Sequence, residues 1–437
     1  MSTLNIPQSD LPRVVIVGGG FGGLRLIKKL VKADKFQIVL IDKRNYHTFQ
    51  PLLYQVSSAG LDAGAISYPL RKTVKKQTNN EFFRMGEAKS IDPVSQTLYL
   101  DIGEINYDYL VIATGTKTNF FGNKQIEQNA MRMKSVPQAL NIRSLILENF
   151  EEATITTDKK QRSALLNFVI AGGGPTGVEL CGALAEIRKN IIPRDYIDID
   201  PEEIQIHLIE GQNRVLAAMS EKSSKNSKKA LESMGVKLHL EEMVESYDGK
   251  TVKTKSGLSF DTETFIWTAG VTGAPLPGLK EDAIVKGANR YQVNVFNQVE
   301  GYENIFAIGD IALMQSEKYP KGHPMVAQPA IQQGEHLAKN LLRLLEKKKL
   351  IPFDYYDKGT MATIGRNKAV VDLKRTHFSG FFAWFIWMFV HLWFLIGFRN
   401  RVGTFLSWSY RYVNYDRASR LIMRPFKENR IHLEEEE

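Results

Sequence analysis

Cysteine is almost missing from this chain of 437 residues: Cys181 is the only one. A single thiol allows no internal disulfide and no CxxC or CxxxxC pair, which excludes dithiol redox chemistry. Histidine and cysteine nowhere cluster at ligand spacing, so no metal site is expected. Acidic residues are in short supply, 48 against 57 Lys and Arg, leaving a formal charge of +9. That excess fits a nucleic acid, an anionic membrane surface or a solvated face, and its location along the chain must decide. Met1 to Leu11 is polar and has no basic start followed by an apolar core. No secretory signal is therefore expected, and the catalytic part should stay in the cytosol. With 43% hydrophobic and 24% charged residues, the chain is neither disordered nor fibrous, and it is long enough for two or three domains.

What the chain does have is glycine in a telling arrangement. In VVIVGGGFGGL, Val14 to Leu24, four β-branched residues run into a glycine cluster and then into the apolar start of a helix. Strand, tight turn and helix follow from this, with Gly18 for the turn, Gly20 for close approach to a pyrophosphate and Gly23 for helix packing. The helix start offers unpaired N–H groups to phosphates. The next apolar run, Phe36 to Ile41, ends at Asp42, 19 residues past Gly23, where a carboxylate can bind a ribose hydroxyl.

A second copy follows. Phe168 to Gly177, FVIAGGGPTG, sets Gly172, Gly174 and Gly177 after a strand, and a later strand, Ile204 to Ile209, ends at Glu210. The 33 residues from Gly177 to Glu210 exceed the usual interval and imply an insertion at about Ile187 to Glu203, which holds Pro193 and Pro201. Tyr107 to Gly115 (YDYLVIATG) and Phe260 to Gly270 (FDTETFIWTAG) also mirror each other. The pattern predicts an α/β fold with two Rossmann-like dinucleotide-binding domains, the product of a duplicated unit. KRNYHTFQPLLYQVSSAG, after Asp42, is too rich in special side chains to be a linker and is expected to line a ligand. A strand-rich segment begins near residue 82. Helices are expected over Ser135 to Glu152 and from about Pro329 to Glu346, and NIFAIGDIA presents Gly309 and Asp310 as a ligand-facing turn.

From Thr376 the composition changes. Phe381 to Phe398 is an apolar run of about 18 residues, which as one helix would extend about 27 Å. Its one polar member is His391, and Lys374, Arg375, Arg399 and Arg401 flank it. A span would put basic residues on both sides of the bilayer, against the usual bias, so the tail is expected to lie in one leaflet. Thr404 to Tyr415 is read as an interfacial helix with Phe405, Trp408 and Tyr412 on one face and Ser407, Arg411 and Asn414 on the other. Arg417, Arg420, Arg424 and Lys427 extend the basic surface as far as the acidic end, Glu434 to Glu437. An anionic lipid surface, and no nucleic acid, is the partner this placement favours.

Together, VVIVGGGFGGL, YDYLVIATG, AGGGPTGVEL, FAIGD, VAQPAIQQG and WFLIGFRNR resemble the two-dinucleotide-binding-domain flavoproteins and, within them, the type II NADH dehydrogenases. The resemblance implies a single-subunit, non-pumping NADH:quinone oxidoreductase, a monotopic homodimer on the cytoplasmic face of the inner membrane. It divides the chain into an FAD-binding domain (1–118 and 300–346), an NADH-binding domain (119–299) and a membrane-anchoring and dimerisation region (347–437). Non-covalent FAD would be held by Gly18, Gly19, Gly20, Phe21, Gly22, Gly23, Asp42, Lys43, Ala113, Thr114, Gly115, Gly309, Asp310, Ala327 and Gln328. NADH would be held by Gly172, Gly174, Pro175, Thr176, Gly177, Glu179, Glu210, Ala269 and Gly270. The family's quinone-facing glutamines match Gln328 and Gln332, and its glutamate beside the nicotinamide matches Glu179. The nicotinamide cofactor gives a hydride while a membrane quinone (ubiquinone or menaquinone) takes electrons and protons, and a flavin serves both halves. A Glu at position 210 would accept from the ribose 2′-hydroxyl and repel a 2′-phosphate, favouring NADH, although Arg214 is close by.

Plainer readings stand beside these. Glu179 fits a carboxylate in the first turn of a helix, favoured by the dipole. Gln328 and Gln332 fit surface amides, His391 a hydrogen-bonded packing residue and Cys181 a small buried hydrophobe. The apolar run also fits a buried core or dimer helix. A flavoprotein of the apoptosis-inducing-factor type, with mainly a redox-sensing or interaction role, is the alternative function. Sulfide:quinone oxidoreductases share the fold but need cysteines that Cys181 alone cannot supply.

Overall fold

The computed structural model describes residues 2–74, 80–414 and 419–423. The chain opens with a parallel unit of strand β1 (Arg13–Val17), helix α1 (Phe21–Ala33) and strand β2 (Gln37–Asp42), in which β-branched residues form the buried strands. A short helix, α2 (Leu53–Ser57), precedes strands β3 (Glu81–Met85) and β4 (Tyr109–Ile112). The plan then recurs. Strand β5 (Met131–Arg132) leads to helix α3 (Val136–Ile155), strand β6 (Asn167–Ala171), helix α4 (Pro175–Asn190) and strands β7 (Gln205–Glu210), β8 (Lys237–Leu240) and β9 (Thr264–Trp267). Ser135 caps α3, its hydroxyl accepting from Gln138 N–H, and Pro137 sits in the first turn. Strand β10 (Ile305–Ala307) and helix α5 (Ala327–Leu345) follow.

Two five-stranded sheets result, all their neighbours parallel. The first runs β10-β4-β1-β2-β3 and the second β5-β9-β6-β7-β8. In both, the glycine-loop strand is central with the acid-tipped strand beside it, the arrangement that opens a crevice at the strand ends. Each repeat also carries a three-stranded antiparallel meander, over 88–106 in the first and 244–261 in the second. The predicted insertion is mostly the extra length of α4, a turn of helix at Ile192–Asp195 and a 3₁₀ turn at Pro201–Glu203.

The molecule divides into two compact units. Unit 1 comprises Met1–Thr48, Ser67–Lys117 and Val271–Asp357; unit 2 comprises Phe49–Ile66, Thr118–Gly270 and Lys358–Glu437. Residues 271–299, expected with the second domain, supply Leu279, Ala283, Tyr291, Val293 and Val299 to the core around Val15, Val39 and Ile112 of unit 1. The C-terminal part belongs with unit 2. There strands β11 (Thr360–Gly365), β12 (Lys368–Asp372) and β13 (His377–Ser379) form an antiparallel sheet, followed by helices α6 (Phe381–Phe394) and α7 (Phe398–Asn414).

The tail corrects two expectations. The apolar run is not one helix: α6 stops at Phe394, Leu395 is extended and Gly397 has φ +91°. A glycine supplies the left-handed turn there at little cost. Among the described residues, no helix is long and apolar enough to cross a membrane. In α7 it is Thr404 and Trp408 that face inward, while Phe405, Leu406, Tyr410 and Val413 are exposed, so Phe405 does not share the face of Trp408. Tyr415, Arg417, Arg424, Lys427 and the acidic end lie outside the described residues.

Candidate active site

The two glycine loops are near copies. Gly18 and Gly172 take φ +108° and +110°, which β-carbon-bearing residues rarely adopt. A Cβ on Gly23 or Gly177 would lie 2.0 Å from the carbonyl oxygen of Gly18 or Gly172, so helix and turn can meet only as glycine. The first residues of α1 and α4 follow Gly20 and Gly174, and neither helix start has a side-chain cap. Their N–H groups and dipole ends are left to an anion. A Cβ at Gly20 or Gly174 would meet nothing within 4 Å, so each loop keeps an open cradle the width of a backbone approach. Pro175 and Thr176 are exposed at the mouth of the second loop.

The strand-tip acids act on their own loops. Asp42 Oδ2 accepts from Gly19 N–H at 2.6 Å and Oδ1 from Arg44 N–H at 2.8 Å. Glu210 repeats this with Gly173 N–H at 2.5 Å and Gln212 N–H at 2.7 Å. Burial pushes the Asp42 carboxyl up, and the two backbone donors pull it back. Lys43 is exposed, and Arg214 donates to the Ala217 carbonyl at 2.8 Å. Sequence reasoning missed His47, which is buried with Nδ1 2.9 Å from the Gly19 carbonyl oxygen. A carbonyl can only accept, so Nδ1 carries the proton. Burial lowers the imidazole to about 4, and the ring is neutral at pH 7.

The remaining residues expected for the first cofactor all belong to unit 1. Ala113 N–H donates to Val17, continuing the sheet into the loop, and Thr114 donates to the Ala274 carbonyl at 3.0 Å. Gly115 turns with φ +68°. The Gly309 N–H is held at 2.7 Å by Gln333 Oε1, a buried amide that sequence reasoning passed over for its neighbours. Asp310 is the second residue of that 3₁₀ turn, Gly309–Ile311. Phe21 stands edge-on to His47, and Gly22 lies on the face of α1 that packs against α5, where a Cβ would press on the Ala330 carbonyl. Ala327 and Gln328 begin α5, two residues earlier than expected. Gln328 Oε1 is buried without a hydrogen-bond partner among the described residues. The Gln332 amide is committed: its NH₂ donates to the Tyr356 carbonyl at 2.9 Å and its oxygen accepts from Tyr356 N–H at 3.0 Å.

Unit 2 holds the residues expected for the nicotinamide dinucleotide. Ala269 and Gly270 follow β9, with Ala269 so close to Gly172 that a Cβ there would lie 2.7 Å away. Glu179 is in the second turn of α4, not the first, and no acid occupies the first turn. It is buried, with Thr363 N–H of β11 donating to Oε1 at 3.3 Å. Burial raises its carboxyl to about 8, the opposite of what a helix-start carboxylate would show. It lines a cavity of about 320 Å³ with Tyr54, Gln55, Trp387, Trp408 and Arg411. Cys181 is buried beside it in α4, and burial raises its thiol, as an inert packing residue requires. His391 Nδ1 lies 2.7 Å from the Trp387 carbonyl in a stacked arrangement, a packing role. Among the described residues no group of three or more His, Cys, Asp or Glu could hold a metal.

With this geometry in hand, comparison with known proteins is informative. Residues 12–334 match the family described as pyridine nucleotide-disulphide oxidoreductase, and residues 357–414 match the NDH2 C-terminal domain. The type II NADH:quinone oxidoreductase Ndh of Mycobacterium tuberculosis is 36% identical over 435 residues, 96% of this chain and 92% of its own length. The Haemophilus influenzae type II NADH:quinone oxidoreductase is 31% identical, over 83% and 87% of the two chains. Among solved structures, NDH2 from Plasmodium falciparum in complex with NADH superposes with a TM-score of 0.86 at 21% identity, covering 94% of this chain and 100% of that one. The sulfide:quinone oxidoreductase of Aquifex aeolicus shares the fold at a TM-score of 0.69 and 19% identity, covering 92% and 95%.

Proposed function

The chain belongs to the type II NADH:quinone oxidoreductases, within the pyridine nucleotide-disulphide oxidoreductase family, and from that premise we propose the following roles for its own residues. The protein is an FAD-dependent, non-pumping oxidoreductase that takes a hydride from NADH and passes two electrons to a membrane quinone. The observation that carries this is the pair of matched glycine loops, each with an acid on its own middle glycine, in one chain whose C-terminal part is that of a quinone reductase. The redox-sensing alternative is set aside, since the relatives and the 357–414 match are to quinone oxidoreductases.

Unit 1 holds the FAD. The open N-terminus of α1 faces its pyrophosphate, Asp42 and Lys43 its ribose, and the 113–115 and 309–310 turns, with Ala327 and Gln328, the rest. Bound there, FAD supplies the hydride and electron chemistry that side chains lack. Unit 2 holds NADH at Gly172, Gly174, Pro175, Thr176, Gly177, Ala269 and Gly270, with Glu210 rejecting a 2′-phosphate. Glu179, protonated at neutral pH, holds a proton beside the nicotinamide for delivery to reduced quinone. Gln328 offers its amide to the quinone, and Gln332 keeps the Tyr356 backbone in position.

The exposed apolar faces of α6 and α7 rest in the cytoplasmic leaflet of the cell membrane with the flanking arginines on anionic headgroups, and the enzyme is a homodimer. A spectrum of the purified protein tests the central statement. Flavin absorbance should be present, bleach with NADH, and return on adding a quinone under anaerobic conditions. A protein without flavin, or one that NADH does not bleach, would contradict it.

A further inference from the structure

Helices α2 and α7, both in unit 2, are joined by a hydrogen-bonded chain whose polarity is fixed by chemistry. The Trp408 indole N–H can only donate, and it lies 2.8 Å from Oε1 of Gln55. This orients the Gln55 amide, so that its NH₂ group faces the Tyr54 phenol oxygen, also at 2.8 Å. Toward Gln55 the phenol oxygen is therefore an acceptor, and its own proton must point elsewhere. All three side chains are buried and line the cavity that holds Glu179. Among the described residues no acceptor takes the Tyr54 proton. Two more contacts seat α7 and the residues after it on this segment. The Arg411 guanidinium donates to the Gly60 carbonyl, and the Ser419 hydroxyl donates to Asp62 at 2.8 Å.

We propose that Tyr54 donates its phenolic hydrogen bond, within this cavity, to a carbonyl oxygen of the electron acceptor, with Gln55 as the positioning residue and Trp408 as its link to the apolar helix α7. The proposal rests on the quinone reading above and extends it to residues that the glycine and glutamine motifs do not contain. A carbonyl that takes up electrons gathers negative charge on oxygen, so a fixed donor is worth more as reduction proceeds. Tyr54 is suited to donate without ionising, because burial first and the Glu179 carboxyl second push its phenol well above the ordinary range. The donor's aim then depends on α7 being seated, since only the Trp408 N–H decides which end of the Gln55 amide meets the phenol.

The test uses the full-length holoenzyme with a short-chain quinone, and separates NADH-driven flavin bleaching from reoxidation by stopped flow. Tyr54→Phe should slow reoxidation about tenfold, the worth of one hydrogen bond to a charging oxygen. Trp408→Phe keeps a ring but removes the N–H, and should slow reoxidation about threefold with bleaching as the internal control. The double variant should match Tyr54→Phe alone, because both changes act through one proton. Flavin content and melting temperature verify that each variant is folded. Losses that multiply in the double variant, or Tyr54→Phe reoxidised at the normal rate beside an active wild type, would overturn this proposal alone. Wild type that NADH bleaches and no quinone reoxidises would overturn the proposed function with it.

Discussion

Glu179 shows how much a single residue's surroundings matter. Its carboxyl, raised to about 8 by burial, is protonated in the folded protein at pH 7 and ionised in the unfolded chain. Its contribution to stability is therefore complete below the ordinary carboxyl range and is lost as pH rises toward and through 8. We expect quinone reduction to show a pH dependence near 8 that is absent in Glu179→Gln, while that variant retains FAD; an unchanged pH profile would leave Glu179 a packing residue. The buried histidines act at the other end of the scale. His47 and His207 are each lowered to about 4, chiefly by burial. As pH falls from 6.5 toward 4, the unfolded chain takes up protons that the folded one refuses, costing up to about 1.4 kcal/mol per pH unit for each fully buried ring. Denaturant midpoints should fall steadily over that window, and His47→Gln should flatten the slope. At Glu210, replacement by Gln should narrow the preference for NADH over NADPH, measured as the ratio of kcat/KM values; equal use of both by the wild type would contradict the assignment.

Elements built on local signals were legible. A glycine that needs positive φ, a β-branched strand before it and an acid at the next strand's tip are adjacent in sequence, so both loops could be read before any fold was known. Bonds between distant residues were not. Gln55 and Trp408 are 353 residues apart, and Gln333 differs from Gln332 in sequence only by being next to it. The end of α6 could have been read from Gly397, but the length of the apolar run obscured it. The seating of α4 on the C-terminal sheet is another long-range feature. A Cβ on Gly182 would lie 1.7 Å from the Ile364 carbonyl oxygen, so helix and strand touch backbone to backbone one turn from Glu179. Gly182→Ala should cost about 3 kcal/mol or more, since backbone cannot yield as a side chain does. It should also displace Thr363 from Glu179 and shift the activity profile measured against pH. A melting temperature equal to wild type would show that the strand moves freely.

For the whole molecule, the positive charge and the apolar surface meet in the C-terminal region. Phe385, Phe389 and Trp393 are exposed on α6 while Ala383 and Trp387 are buried, Trp387 against Trp408 of α7. Serine at those three exposed positions should leave the fold intact and release the protein from vesicles, each ring being worth about 2 kcal/mol of burial in lipid. Reduction of long-tailed quinones should drop more than that of soluble ones. Cutting the chain at Thr376 would be a poorer test, because it also removes strand β13 from its sheet. The break at Leu395–Gly397 reaches further. On the one-leaflet attachment proposed above, two short helices folded back at a glycine would enter only the outer part of one monolayer, adding area there and none to the opposite one. Attachment would then work as a wedge, favoured where the lipids are already splayed. The same protein should load more densely, per unit of lipid, on small, highly curved vesicles than on large ones of identical composition, and electron delivery to the quinone pool would follow the shape of the membrane as well as its chemistry.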